Sequence, residues 1–390
     1  MVTTIEQATR PLMLTTFILG LGVHTSAKFY FSILYNVTFW SAYSYLLCYV
    51  VIVLKVEKWF LATSSIIYNM ISSLISIVSV IMSFYQHKRL QIFVKRLAAV
   101  DDTLEELGIP KIYRKLNVYI KRALIGWLVC IQLANINDMI WWFRTLKKYR
   151  YMIIPHITNY YQHFNILLDL VFSIYLWYIG TRFDKLNKHI RYLLLGEKRG
   201  RSYTRLKKAV QPIRRYIIRN NHYKRALWTT MHLHLELCQL ARELNVIFET
   251  QMTMEMVAYF IFVLRLFRYT YIHIMRDDQF ISSYLDWIDI DFWMSLNVAR
   301  LFCFNYVCED VSMKSNEMKM IIHQLTFHYA DIHDEIYQFT LQMIQRPLKF
   351  SGLGLFHFGN GFLRKFVMTI MTFVLLVIQM PGASKAFMGF

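Results

Sequence analysis

The stretch FVMTIMTFVLLVIQM, Phe366 to Met380, is apolar almost throughout, yet carries Thr369, Thr372 and, near its end, one amide, Gln379. A helix rises about 1.5 Å per residue, so with its flanking residues this stretch is long enough to cross a bilayer. A polar side chain in lipid is costly unless it faces protein or water. At helical spacing Leu376, Gln379 and Met380 share one face. That face can line an aqueous path with two apolar rings and one amide ring when several copies surround an axis.

The rest of the chain agrees with a membrane reading. Its 390 residues are 56% hydrophobic with a mean hydropathy of +0.32. Several runs lack the charge needed to face water, which excludes an ordinary soluble domain. Windows of about 20 apolar residues mark spans at 31–54, 60–84, 123–142, 159–180, 252–274, 289–308 and 366–380. The third contains Asp138, and the sixth contains Asp291 and Arg300. No internal repeat or low-complexity linker divides the chain, so residues 1–390 are expected to form a single all-α domain. No signal peptide is evident, and the apolar run Pro11–Val23 reads as a short helix at the inner membrane surface.

The formal net charge is +19. Lys and Arg concentrate in loops 85–122 and 181–251, whereas loop 276–287 carries Asp277, Asp278 and Asp286. This bias is the positive-inside pattern of a membrane protein rather than a nucleic-acid surface. With seven spans, the basic loops share a side with the N-terminus, which is therefore cytoplasmic. Asp277 is expected outside and Arg201 inside. Cys48, Cys130, Cys238, Cys303 and Cys308 show no paired spacing and predict no disulfide. Asn36-Val37-Thr38 fits a glycosylation pattern but falls at the cytoplasmic end of the first span, so it is expected to be unmodified.

Spans three and four approach the outer side with Asn135, Asn137, Asp138, Trp141, Asn159, Tyr160, Tyr161, His163, Asn165 and Asp169. Ionisable groups inside a membrane are functional candidates, although interhelical hydrogen bonds also hold bundles together. Arg265 and Arg268 in the fifth span either snorkel or pair with acids. Segments 181–251 and 309–350 read as a cytoplasmic helical anchor. In the first, Leu233, Leu237, Leu240, Leu244 and Phe248 form a narrow apolar seam, expected to pack within its own subunit. In the second, Met318, Ile322, Leu325, Tyr329, Ile332, Ile336, Phe339 and Met343 repeat at four and three. This heptad predicts a seam near the axis of an oligomer, ending at Arg346-Pro347.

Several motifs resemble the insect gustatory receptor family. Thr372-Phe373, five hydrophobics and Gln379-Met380 resemble its last-helix signature of Thr-Tyr, five hydrophobics and Gln-Phe, with Phe373 in place of Tyr and Met380 in place of Phe. Arg182-Phe183 and Leu186-Asn187 match the Arg-Phe-x-x-Leu-Asn pattern after the fourth span. Further matches are His234, Leu237, Leu240, Ala241, Leu244, Asn245, Phe248 and Gln251. Phe350, Gly354, Leu355, Phe356 and Leu363 resemble the turn before the last span, although residues 357–360 depart from it in register.

The resemblance covers most of the chain. It implies a seven-helix, ligand-gated cation channel with inverted topology, related to insect odorant receptors and placed in the plasma membrane of sensory neurons. The implied assembly is a tetramer of the same or related subunits around a pore built from the last helix, with Leu376, Gln379 and Met380 at the gate. The implied ligand is a small-molecule tastant held among spans two to six, in the outer half. Aromatic walls with a few hydrogen-bonding groups suit such a ligand. Those spans supply Asn69, Ser73, Asp138, Trp141, Tyr161, Asp169, Tyr259, Trp293 and Asn297.

No catalytic constellation is visible, so neither an enzyme activity nor a cofactor or metal is expected. His232 and His234 lack the i, i+4 spacing of a helical metal pair, and no phosphate loop or nucleophile elbow occurs. The alternative is a G-protein-coupled receptor. The cytoplasmic N-terminus, the lack of proline in any predicted span and the absence of Asp-Arg-Tyr or Asn-Pro-x-x-Tyr at the required helix ends speak against it. A transporter would show interrupted helices and repeat symmetry.

Overall fold

The computed structural model describes residues 2–21, 29–53, 63–206, 213–275, 284–326 and 333–379. Met380, Asp277, Tyr329 and Ile332 lie outside the described residues, as do the side chains of Asn69, Arg201, Arg265, Arg268, Leu325 and Ile336.

Ten helices carry nearly all of the described chain. They are α1 (Ile5–Ile18), α2 (Phe29–Val53), α3 (Thr63–Glu106), α4 (Tyr113–Leu146), the short α5 (Ile154–Thr158), α6 (Tyr160–Leu206), α7 (Ile213–Met275), α8 (Tyr284–Thr326), α9 (His333–Gln345) and α10 (Asn360–Gln379). A 3-10 turn, Tyr149–Ile153, precedes α5. Helices α2, α3, α4, α6, α7, α8 and α10 carry the seven apolar stretches, one each. Among the described residues, 113–144, 149–192 and 225–264 are long and apolar enough to cross a bilayer on length and composition alone.

Local chemistry sets the boundaries. The Thr4 hydroxyl caps α1 by accepting from the Gln7 amide at 3.3 Å. Between α3 and α4, Gly108 takes a φ of +83° where Ile109-Pro110 cannot continue a helix. Lys147, at a φ of +53°, closes α4 in a left-handed C-cap. Asn159 breaks the chain between α5 and α6, and its carbonyl accepts from the His163 amide at 3.1 Å as α6 begins.

Helix α6 lies at the centre, packed against α3, α7 and α8. Phe164, Leu167, Phe172, Tyr175, Tyr178, Ile179, Phe183 and Leu186 are all at most 1% exposed. By contrast, Leu34 of α2, Ile77 of α3 and Ile125 of α4 stay exposed, an apolar outer surface that suits lipid.

The Leu233–Phe248 seam of α7 is buried within the chain. The second seam requires a correction. Its members divide between α8 and α9, on either side of the undescribed residues 327–332, and α9 packs against α8. Met318, Ile322 and Phe339 are buried inside the chain, and the Phe339 ring meets His234. A heptad spacing records only that two helical faces are apolar. Here the described members of those faces pack inside their own subunit. The exposed apolar side chains of α9 include Leu341 and Ile344 instead.

A buried ion pair locks the end of the bundle around the α3–α4 turn. Asp101 of α3 and Arg182 of α6 meet at 2.7 Å with both side chains fully buried. Tyr178 donates to Asp101 at 2.6 Å, and Arg182 donates to the Pro110 carbonyl at 3.2 Å. Burial pushes the Asp101 carboxyl up, while Arg182 and Tyr178 pull it back. The Arg-Phe-x-x-Leu-Asn motif thus has a packing reason. Arg182 holds the α3–α4 turn, Phe183 and Leu186 are core, and Asn187 donates to the Lys314 carbonyl of α8 at 2.8 Å.

After α9 the chain makes a two-stranded hairpin, β1 (Ser351–Gly352) and β2 (Phe356–His357), where the sequence resemblance implies only a turn. Leu353 and Gly354 take the positive φ values at its tip. Asn245 of α7 exchanges two hydrogen bonds of 3.1 Å with the Ser351 backbone.

Candidate functional site

Helix α8 carries a descending series of polar contacts that joins three parts of the molecule. Near its start, the Trp293 indole N–H donates to the Asp138 carboxylate of α4 at 2.8 Å. Asn159, at the α5–α6 break, donates to the other Asp138 oxygen at 2.5 Å. Asn135, one turn earlier on α4, contacts the rings of His156 at 3.2 Å and His163 at 3.1 Å. One carboxylate, two asparagines and two histidines thus meet between α4, α5, α6 and α8. Beside them Trp293 packs with Ala134 and Phe262. Charge-assisted hydrogen bonds to Asp138 explain how an acid is tolerated in the third apolar stretch.

Two turns along α8, Arg300 enters the bundle. Its guanidinium pairs with Asp169 of α6 and, at 3.1 Å, with Glu255 of α7. It also stands 5.1 Å from the centre of the Tyr259 ring. The three charged side chains are 13%, 10% and 3% exposed, so one cation answers two carboxylates in a desolvated site. Gln251, one turn before Glu255, donates to it at 3.1 Å.

Further along, α8 holds the start of α10. Asn305 accepts from the Gly359 amide at 2.9 Å, and Glu309 accepts from the Asn360 amide at 3.2 Å. Glu309 also places a negative charge at the helix N-terminus, where the macrodipole favours it. Gly359 has a φ of +131°, and a Cβ there would lie 2.2 Å from Glu309 Oε2, so only glycine admits this contact.

Helix α10 is two-sided. Leu363 and Ile370 are buried against the chain, and Phe366 and Phe373 meet Phe260 of α7. On the other side Met368, Met371, Leu375, Leu376 and Gln379 are exposed. The Thr372 hydroxyl donates to the Met368 carbonyl at 2.9 Å, an intrahelical bond.

The expected ligand residues therefore separate into groups. Asp138 and Trp293 are joined directly. Asp169 and Tyr259 belong to the deeper Arg300 cluster. Asn297, between the two levels, donates to its own helix at the Trp293 carbonyl, 2.8 Å away. Tyr161 packs edge-on against Tyr43 of α2 in an aromatic cluster with Trp40 and Tyr160. Trp141 lies edge-on to Trp142, and Ser73 is half-buried on α3. Sequence reasoning missed Glu255 and His156. Glu255 sits in an amphipathic stretch, MTMEM, where only knowledge of Arg300 as a neighbour singles it out.

Comparison with known proteins gives a consistent result. A family model described as 7tm chemosensory receptor matches residues 22–380. Among solved structures, the chain is similar to the insect olfactory receptor OR5 from Machilis hrabei, with a TM-score of 0.67 at 10% identity. That match covers 96% of this chain and 98% of the other. OR5 in complex with eugenol matches with a TM-score of 0.59 at 12% identity, over the same shares. No curated protein sequence matches. At such identities the structural likeness concerns the fold.

Proposed function

The chain belongs to the 7tm chemosensory receptor family, a multi-pass membrane receptor family, and from that premise we propose that it is a tastant-gated, weakly selective cation channel. The single observation that carries this reading is the two-sidedness of α10. One face is packed against α7 and α8, while Leu376 and Gln379 lie exposed on the other face among the described residues. Four copies around an axis convert that face into rings. A narrow ring of leucine dewets and blocks ions, and the glutamine ring offers uncharged amide oxygens to a passing cation. Met380 supplies the second apolar ring in this reading.

The inverted topology is part of the proposal, and the charge bias of the loops supports it. The ligand is a small organic molecule, held in the outer half around the Asp138–Trp293 contact. The complex of OR5 with eugenol supports that ligand class. The last-helix signature favours tastant over odorant. Helix α8 is the mechanical link: Trp293 feels the ligand, Arg300 fixes the depth of the helix, and Asn305 and Glu309 grip the start of α10. A displacement of α8 therefore moves the base of α10. The experiment is whole-cell recording from cells expressing the chain, screened against tastants, with cation substitution. Ligand-evoked current carried by both Na⁺ and K⁺ is the expected result. Signalling that depends on a co-expressed G protein, with no direct current, would overturn it.

A further inference from the structure

A cavity of about 660 Å³ lies between α1, α3, α6 and α7, away from the Asp138–Trp293 network and sharing no residue with it. Its size falls within the roughly 300–1,000 Å³ typical of small-molecule sites. The wall from α6 and α7 is mostly apolar, with Leu168, Val171 and Phe248 beside Tyr175, Thr250 and Gln251, and Met13 of α1 continues it. The wall from α3 is different. Ser79 and Gln86 are only 3% and 5% exposed, and neither Ser79 Oγ nor Gln86 Oε1 has a hydrogen-bond partner. An unpaired buried acceptor costs about 1–3 kcal/mol, so two of them on one cavity wall point to a ligand that pairs with them.

The chemistry of the lining narrows that ligand. Gln86 Oε1 requires a donor. Ser79 lies two turns before Gln86 on α3, and a helical glutamine leans back toward the N-terminus, so both groups address one polar head with several oxygens. The charges nearby cancel, because Glu6 and Arg10 line the cavity one turn apart on α1. His87 meets the Gln91 amide at 2.9 Å through its ring nitrogen rather than offering a cation. Leu14 lines the cavity while remaining 43% exposed, which opens the mouth at the outer face of α1.

We propose that this cavity is a second ligand site, for an uncharged glycerol-headed amphiphile with one acyl chain, taken from the leaflet on the N-terminal side. The glycerol hydroxyls pair with Gln86 Oε1 and Ser79 Oγ, and the chain lies along Met13, Leu168, Val171 and Phe248. The site is also placed to matter for the channel. Gln251 lines the cavity and donates to Glu255, which pairs with Arg300, so occupancy bears on the Arg300 cluster.

The test uses the full chain in phosphatidylcholine nanodiscs with a diazirine-bearing monoacylglycerol. Irradiation followed by peptide mapping is expected to place the label on α1, the 79–94 part of α3 or the 247–251 part of α7, and unlabelled monoacylglycerol is expected to compete it away. Gln86→Leu keeps the side-chain size and removes the acceptor. It is expected to lower labelling about fivefold, the change that one lost hydrogen bond gives. Ser79→Leu fills the cavity and is expected to abolish labelling. If it fails to fold, Gln86→Leu still decides the question. Ser295→Leu, an exposed change on α8, is expected to leave labelling unaltered. The proposal is overturned if the label falls elsewhere or cannot be competed. Indifference to Gln86→Leu overturns it too, as does equal labelling by diazirine forms of a sterol or of phosphatidylcholine. The readout needs no tastant and no current, so its failure is separable from failure of the channel reading.

Discussion

Arg300 lies 3.1 Å from Glu255 while the same guanidinium pairs with Asp169, so helices α6, α7 and α8 are tied through a single cation. Removing that cation strands two buried carboxylates. Breaking one buried pair costs about 3–5 kcal/mol, whereas replacing a whole buried network by apolar groups is often near neutral. Arg300→Met is therefore expected to lower thermal stability markedly in detergent, read by fluorescence-detected size exclusion. Adding Asp169→Leu and Glu255→Gln is expected to restore most of it. If Arg300→Met alone melts like the parent protein, the cluster does not hold the helices together.

Asp138 receives hydrogen bonds from both Trp293 and Asn159. Hydrogen bonds to a charged group are worth about 1.5–3 kcal/mol, or about ten- to a hundredfold in affinity. Asp138→Ala is expected to shift the tastant dose–response rightward by that range at preserved surface level. Trp293→Phe, which deletes only the donor, is expected to give a smaller shift in the same direction. Tyr161→Ala, in the separate aromatic cluster with Tyr43, is expected to change the curve least of the three. Superimposable curves for all three variants would place the ligand elsewhere.

Leu376 is 48% exposed on the open face of α10. Leu376→Ser is expected to wet the constriction and produce current without ligand. Gln379→Glu adds a ring of negative charge and is expected to raise divalent permeability or divalent block. Wild-type currents from both variants at normal surface levels would remove this face from the pore.

Leu341 and Ile344 are exposed on α9, at 40% and 51%. Exposed apolar side chains on one helix face suit a protein partner. We expect it to be the subunit contact, in place of the buried Met318, Ile322 and Phe339. Leu341→Asp with Ile344→Asp is expected to dissociate the oligomer on a native gel without lowering expression. Ile322→Asp, by contrast, is expected to unfold the subunit. Retention of the oligomer by the double variant would assign assembly to another face.

The epitope test of topology follows from the loop charges. Tags at Asp277 and Arg201 are expected to stain on intact and only on permeabilised cells, respectively. Surface staining at 201 would sink the inverted arrangement.

Local chemistry alone determined a good deal here. The apolar runs are set by composition over about 20 residues, so they are legible, and the described part of each lies in a helix of its own. The Leu233–Phe248 seam and the two-sided character of α10 follow from helical period. The Arg182 motif was legible as a resemblance, but its partner Asp101, 81 positions earlier by residue number, was not. The same holds for the deeper cluster, where Arg300 and Asp169 are separated by 131 positions. An ionisable residue in an apolar run announces only that it needs a partner. Which partner it finds depends on the relative depth and rotation of whole helices, and those are fixed by packing around α6. Tertiary packing also buried the described heptad members Met318, Ile322 and Phe339 between α8, α9 and α7, and it left Ser79 and Gln86 facing a cavity rather than each other. Sequence period states how wide an apolar face is. Only the fold states what covers it.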